Sequence, residues 1–267
     1  DGVVLKFSDG HGVASLVRKI AMREGIGDIL ARGVFEASRA IGRGSEKLAA
    51  VAKKNGIMEA AMRSHRAWAL GIVTSTRGTG HLRGAPGLEF QKLPLTVSRK
   101  LFGIEDISDP TSYENKAALV VWQEKYKAVI DSMGLCALAT MWMDKTLFVP
   151  EDIAAFFGDV TGRKTDPAEL LEVGKRIQNM ERAFNLLHAG FGRSDDMPPS
   201  KFVDIPVNEG AYKGEAIDVD EWNKMLDEYY QLHHWDVPTG WPTKKCLTDL
   251  GMDAVAERLD KSGISLH

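Results

Sequence analysis

Apolar residues recur along this chain at the three-and-four spacing of a helix face, and almost nowhere at the alternation of a strand. Leu16, Val17, Ile20 and Ala21 follow Val13 on one such face, which Gly25-Ile26-Gly27 ends. Asp28 is then placed to open a second helix by accepting from its free amides. That helix runs through Ile29, Leu30, Val34, Ala37 and Ile41 and stops at Gly42. The polar interval Arg43-Gly44-Ser45 leads to a short segment over 47–51. Between Met58 and Leu93 the period dissolves into loops and short pieces rich in Gly, Arg, Thr and Ser.

Regular structure resumes at Asp109-Pro110, a capping residue followed by proline at the first helical position. Tyr113, Ala117, Val120, Val121, Tyr126, Val129 and Ile130 make a broad apolar face that Gly134 closes. Asp166-Pro167 opens a further long helix with the face Leu170, Leu171, Val173, Ile177, Met180, Phe184 and Leu187, ending near Gly190. A helix over 219–232 follows Pro198-Pro199, and beyond Pro242 come short pieces anchored by Leu247, Leu250, Val255 and Leu259. Strand signals reduce to Ile72-Val73 and Phe202-Val203. With no repeat, no low-complexity tract and no long linker, the pattern predicts a mainly α, compact body.

Composition narrows the function. A hydrophobic content of 44% and a charged content of 27% are those of an ordinary globular protein. A net charge of -3 with no basic run argues against a nucleic-acid platform. No apolar stretch approaches the roughly 20 residues of a membrane span, and no secretory signal precedes the first helix. Two cysteines cannot make a disulfide framework, so a reducing, cytoplasmic setting is expected. The opening Asp1-Gly2-Val3-Val4-Leu5-Lys6-Phe7 leads straight into a helix, like a chain cut from something longer.

The most informative chemistry is the hexad Asp131-Ser132-Met133-Gly134-Leu135-Cys136. The cysteine stands where a helix should end, behind a glycine that permits close approach to the backbone. The acid five residues earlier adds a hydrogen-bonding or metal-binding partner. Alone, such a cysteine more often packs as a small inert hydrophobe. An iron–sulfur cluster generally needs four protein ligands, so if Cys136 is one, the others come from outside this sequence.

The second feature is the loop Thr74-Ser75-Thr76-Arg77-Gly78-Thr79-Gly80-His81-Leu82-Arg83-Gly84. Arg77, Arg83 and the backbone amides around the glycines suit an anion, and His81 titrates near enough to neutrality to move protons. A solvated turn is the plainer reading. His233-His234 and His188 read as helix-end residues, Cys246 as packing, and Asp195-Asp196 as a turn. No phosphate-binding loop, nucleophile elbow, HExxH or paired CxxC is present.

Taken in order, several separated motifs resemble the C-terminal part (domains 2 and 3) of the tungsten-dependent aldehyde:ferredoxin oxidoreductase family. They are the helix pair spanning 19–33, Arg77-Gly78-Thr79-Gly80-His81, the hexad 131–136, Arg182-Ala183-Phe184-Asn185, and the tail around Tyr229-Tyr230 and Trp235. The resemblance implies helical C-terminal domains of that fold without its N-terminal β domain, residues 1–50 ending the middle helical domain and 51–267 forming the last. It implies a tungsten or molybdenum bis-pyranopterin beside a [4Fe–4S] cluster. Cys136 is then the fourth cluster ligand, Asp131 a hydrogen-bond acceptor for the pterin ring, and Gly134 and Leu135 backbone close to the cofactor. His81 becomes a proton donor or acceptor near the metal, and Arg83 and Arg77 meet pterin or phosphate charge.

The implied activity is oxidation of a small aldehyde to its acid, with ferredoxin or an iron–sulfur electron-transfer subunit as acceptor. The fragment is expected to be inactive without the upstream portion of the enzyme, and homo-oligomers are compatible. The family's first pterin-binding Asp motif, its cluster cysteine triplet and its catalytic glutamate are expected upstream of residue 1, and none is in this sequence. Thr74-Ser75-Thr76, Gly80 and Met62-Arg63-Ser64-His65-Arg66 depart from the family pattern around the substrate pocket. Two other readings remain open: an aromatic acyl-CoA (benzoyl-CoA) reductase-like subunit, and a non-catalytic helical partner.

Overall fold

In the computed structural model, residues 5–6, 8–57, 60–91, 93–104 and 107–267 are described. The opening segment 1–7 therefore lies mostly outside the described residues. Three short helices, α1 (Gly10–Met22), α2 (Ile26–Leu30) and α3 (Gly33–Ile41), lead into a tight antiparallel hairpin, β1 (Val51–Ala52) with β2 (Asn55–Gly56). Next come α4 (Arg66–Val73), α5 (Leu95–Phe102), α6 (Lys116–Ser132), α7 (Pro150–Thr161), α8 (Pro167–Ala189), α9 (Ser200–Asp204) and α10 (Val219–His233). A second hairpin, β3 (Trp235–Asp236) with β4 (Trp241–Pro242), precedes α11 (Lys244–Asp249) and α12 (Asp253–Lys261). The chain is mainly α, as its periodicity predicts.

Helix α6 is the axis of the molecule. It packs on α8, α10 and α4 and is buried along most of its length. Ala117, Val120, Val121, Tyr126, Val129 and Ile130 from its predicted face all lie in the main core. The second half of α8 meets α11 and α12 in a smaller core of Ala183, Leu186, Leu247, Met252, Ala256 and Leu259. No helix among the described residues is long and apolar enough to cross a membrane.

Where caps are strong, the sequence reading holds. Asp166 accepts from the Ala168 amide, Pro167 begins α8, and Gly190 ends it with φ +68°. Asp218 likewise caps α10 through the amides of Asp220 and Glu221. Elsewhere the structure corrects it. Asp28 lies inside α2 and pairs with Arg23 and Arg32, while Gly25 takes the cap position. The second helix is broken between Leu30 and Gly33, whose φ of +84° no helix interior accepts. Asp109 closes a local turn onto Thr111, and α6 starts only at Lys116.

Ile72-Val73 and Phe202-Val203 belong to helices α4 and α9 rather than strands. Helix α4 is buried on every side, so its apolar residues carry no period to distinguish helix from strand. Helices α5 and α7 had no expectation at all. The predicted apolar face of α8 is largely turned outward, with Val173 42%, Met180 48% and Phe184 60% exposed. Its buried face instead carries Leu170, Gly174, Gln178, Asn179, Arg182, Ala183 and Leu186.

A buried charge cluster ties these elements together. Asp196 is fully buried, with Lys53 Nζ at 2.6 Å, Arg182 Nη2 at 2.7 Å and the Tyr230 hydroxyl donating at 2.7 Å. Burial pushes this carboxyl up, but Arg182 and Lys53 outweigh it and hold it below its usual range. Asp196→Asn leaves two buried cations without a counter-charge, and it is expected to cost about 3–5 kcal/mol in urea unfolding. Because the folded pKa is depressed, the wild-type pairing contributes fully above the unfolded value of about 3.9. It is lost as pH falls below that through the folded value, so stability curves of wild type and Asp196→Asn should converge in acid.

Candidate functional site

The end of α6 is built by its sequence. Gly134 takes φ +71°, its amide donates to the Asp131 carbonyl at 3.1 Å, and the Leu135 amide reaches back to the Ile130 carbonyl at 2.9 Å. This pairing satisfies the last carbonyls and turns the chain sharply out of the helix. Backbone after it is extended at Cys136, which precedes a short 3-10 turn, Ala137–Ala139. Nothing stands within 4 Å of where a Gly134 side chain would project, and Leu135 is half-buried. Cys136 is exposed with a free thiol, and Leu138 and Met143 further along the chain are 61% and 57% exposed.

Asp131 sits on the last turn of α6, one helix turn from Lys127, with which it forms an ion pair. Its other oxygen accepts from Arg83 Nη1 at 2.9 Å. The side chain keeps 30% of its surface open while both cations are nearly buried. An acceptor so placed has both cations on one side and presents the rest of its edge to the outside.

The histidine loop is fastened from several directions. Backbone of α4 and the loop touch where a Cβ on Gly71 would lie 2.5 Å from the Gly84 carbonyl group, so only glycine fits there. Thr79 Oγ1 donates to the Gly56 carbonyl of β2 at 2.8 Å. Helix α8 supplies two more ties: Asn185 Nδ2 donates to the Thr76 carbonyl at 2.7 Å, and Glu181 accepts from Thr76 Oγ1 at 2.6 Å.

Arg83 is the hub. Its Nε donates to Glu181 at 3.0 Å, its Nη2 pairs with the same carboxylate, and its Nη1 reaches Asp131. Burial pulls its pKa down and Asp131 pulls it up. The expectation that Arg77 and Arg83 would face one external anion is therefore changed: Arg77 is exposed, whereas Arg83 is buried against two carboxylates of the protein. A buried guanidinium requires such partners. Glu181 and Asn185 were not anticipated as site residues; the one signal was their place at and beside Arg182-Ala183-Phe184-Asn185.

His81 is half-buried and meets two indoles, Trp68 of α4 at 5.3 Å and Trp142 at 5.5 Å between ring centroids. Trp68 contacts Phe90, which stacks on His65. His65 is held neutral, since burial and the charges of Lys116 and Arg66 all lower its pKa. His81, Arg83 and Asp131 are thus linked through the loop and one ion pair, with Cys136 on the chain that leaves Asp131.

Other candidates take structural places. His233 is fully buried, and its neutral ring donates from Nε2 to Glu124 at 2.9 Å, because a carboxylate only accepts. Cys246 is buried, its thiol pushed up by burial and donating to the His233 carbonyl. His188 lies against Phe184. Asp195 accepts from the Gly192 amide, whereas Asp196 is the centre of the buried charge cluster. Among the described residues no group of three His, Cys, Asp or Glu side chains could hold a metal ion.

Comparison with known proteins follows this geometry. Residues 1–252 match the sequence model of the family described as aldehyde ferredoxin oxidoreductase, domains 2 and 3. The chain is 29% identical over 237 residues to a tungsten-containing aldehyde ferredoxin oxidoreductase of Pyrococcus furiosus, covering 88% of this chain and 36% of that protein. Its counterpart in Pyrococcus horikoshii is 29% identical over 238 residues, with 89% and 36% covered. The fold is similar to the active-site complex BamBC of benzoyl coenzyme A reductase bound to 1,5-dienoyl-CoA. That match has a TM-score of 0.68 and 25% identity, and covers 98% of this chain and 43% of the other. The chain thus spans about a third of the length of these curated relatives.

Arg83→Lys keeps the charge but cannot bridge Asp131 and Glu181 with one planar fork. It is expected to lower unfolding stability by about 1–3 kcal/mol. Glu181→Gln, which retains shape, should lose a similar amount if the ion pair and not packing holds the loop; chemical denaturation of both variants measures this.

Proposed function

The chain belongs to the aldehyde ferredoxin oxidoreductase family, and we propose that it forms the cofactor-facing helical part of an enzyme oxidising aldehydes to carboxylic acids. Electrons pass to ferredoxin or an iron–sulfur subunit, and the enzyme works in the cytoplasm. The observation that carries this reading is the Arg83–Asp131 ion pair, which joins the histidine loop to the helix end bearing Cys136.

The residues present suit a tungsten–pterin and a [4Fe–4S] cluster. Asp131 offers an open carboxylate edge, already charge-balanced by Arg83 and Lys127, to the amino and ring N–H groups of a pterin. The open backbone at Gly134 lets a planar ring approach without a side chain in the way. Cys136 offers an exposed thiol as one cluster ligand, and the remaining ligands must come from elsewhere because Cys246 is buried at α11. When bound, the pterin-held metal supplies the two-electron redox chemistry.

Aldehyde and water become a carboxylic acid, two protons and two electrons. In this chain His81 takes up and releases a proton at an imidazole nitrogen. Arg83 and Lys127 hold the Asp131 side chain in place through its two oxygens. Exposed Arg77 adds positive charge on the same loop, which favours a phosphate-bearing cofactor.

A second reading is favoured by the likeness to BamBC: reduction of an aromatic acyl-CoA thioester on the same cofactor. Aldehyde-dependent ferredoxin reduction set against benzoyl-CoA reduction in the holoenzyme separates the two.

Elemental analysis of the anaerobically purified holoprotein is expected to give roughly one tungsten or molybdenum and about four irons per copy. Cys136→Ala should lose cluster iron with the helical circular-dichroism signal retained; unchanged iron would remove Cys136 from the ligands. His81→Asn should keep its metals and lose turnover by about 100-fold or more; full activity in that variant would overturn the proton role.

A further inference from the structure

His81 lies in a turn, so no helix or strand fixes its ring. Two indoles meet it. The centroids of His81, Trp68 and Trp142 form a triangle with sides of 5.3, 5.5 and 6.2 Å, and the imidazole plane is tilted only 17° from one indole and 22° from the other. Offset, near-parallel rings at these separations attract one another. The imidazole rests in the corner between the two indoles and keeps part of its surface open.

Both indoles are themselves tied down. Trp68 is 8% exposed, belongs to the buried helix α4, and donates from Nε1 to the Ala60 carbonyl at 3.2 Å. Trp142 donates from Nε1 to the Ala85 carbonyl at 2.8 Å. Its backbone also presses on the same segment, since a Cβ at Gly87 would lie 2.1 Å from the Trp142 carbonyl oxygen. Trp142 follows the 3-10 turn that begins after Cys136. One side chain therefore grips the loop downstream of His81, touches the imidazole, and belongs to the stretch that carries the exposed thiol.

We infer that Trp68 and Trp142 fix the ring plane of His81, and that they are positioning residues for its proton transfer. The inference rests on the proton role proposed above for His81. A proton passes efficiently only when the ring nitrogen points at its partner within hydrogen-bond reach, and a misplacement of about 1 Å can cost on the order of 100-fold. Loss of an indole removes one of the two surfaces the imidazole lies against, while the loop stays held by Glu181, Asn185 and Gly56. Trp142 also ties the imidazole to the segment that follows Cys136.

The test uses the holoenzyme with Trp142→Leu, Trp142→Phe and His81→Asn, each checked for metal content and melting temperature. Trp142→Leu is expected to lower kcat about tenfold or more with KM within about twofold, and Trp142→Phe, which restores a ring, to recover most of it. The pH profile of kcat should change in Trp142→Leu and be kept in Trp142→Phe. A second readout needs neither turnover nor a tryptophan variant: tryptophan emission of the wild type should show a pH-dependent step that His81→Asn lacks. Identical emission titrations in those two proteins overturn the inference. So does a Trp142→Leu enzyme with wild-type kcat and pH profile beside an inactive His81→Asn, which defeats this inference alone. Full activity of His81→Asn overturns the reading of His81 and this inference with it.

Discussion

Helix α6 runs through the middle of the protein carrying Lys116, Glu124 and Lys127, all of them buried. A charge withdrawn from water and left unpaired costs several kcal/mol, so each must find a partner. Lys116 pairs with Glu89 at 3.0 Å, and Glu89 also accepts from the Ala67 and Trp68 amides at the start of α4. Glu124 accepts from Tyr229 and His233 of α10. Lys127 meets Asp131 and, through it, Arg83. The positions of α4, α10 and the histidine loop around α6 are thus set by which buried charge each one answers.

How much of this was readable depended on whether a residue's role was local. Asp166-Pro167 announces its helix because a cap acts on the next few amides. Gly134 announced the end of α6 for the same reason, and Cys136 and Asp131 drew attention by lying on either side of it. Helix α4 was unreadable because every face is buried and no period survives. The apolar stripe of α8 misled for the opposite reason: Arg182, Gln178 and Asn179 turn inward, and Val173, Met180 and Phe184 turn out. Glu181 and Trp142 stayed hidden because their partners are Thr76, Arg83 and His81, distant in sequence and joined only by the fold.

The same network explains why the site is rigid on one side and open on the other. Arg83, Lys127 and the α4 backbone lie behind it and are buried, so the loop cannot drift. Asp131, Gly134, Cys136 and Arg77 keep exposed surface in front. Such a surface, set on firm elements, suits a large planar cofactor held between this chain and other protein, which agrees with a chain that spans a third of its curated relatives.

The long reach of these polar contacts bears on how the chain acquires its shape. Lys53 and Asp196 are 143 residues apart, Arg66 and Glu215 are 149 apart, and Thr76 and Glu181 are 105 apart. Contacts so distant in sequence close late, after much chain entropy has been lost, and they slow folding. During synthesis the first hairpin and α4 emerge well before the residues that neutralise them. For that interval their apolar and charged groups face solvent together, a state that invites association with other chains. The stretch from α8 to the loop before α10, which supplies Glu181, Asp196 and Glu215, therefore acts as the latch of the whole assembly, and ribosomal timing and chaperone contact are matters for its middle as much as for its ends.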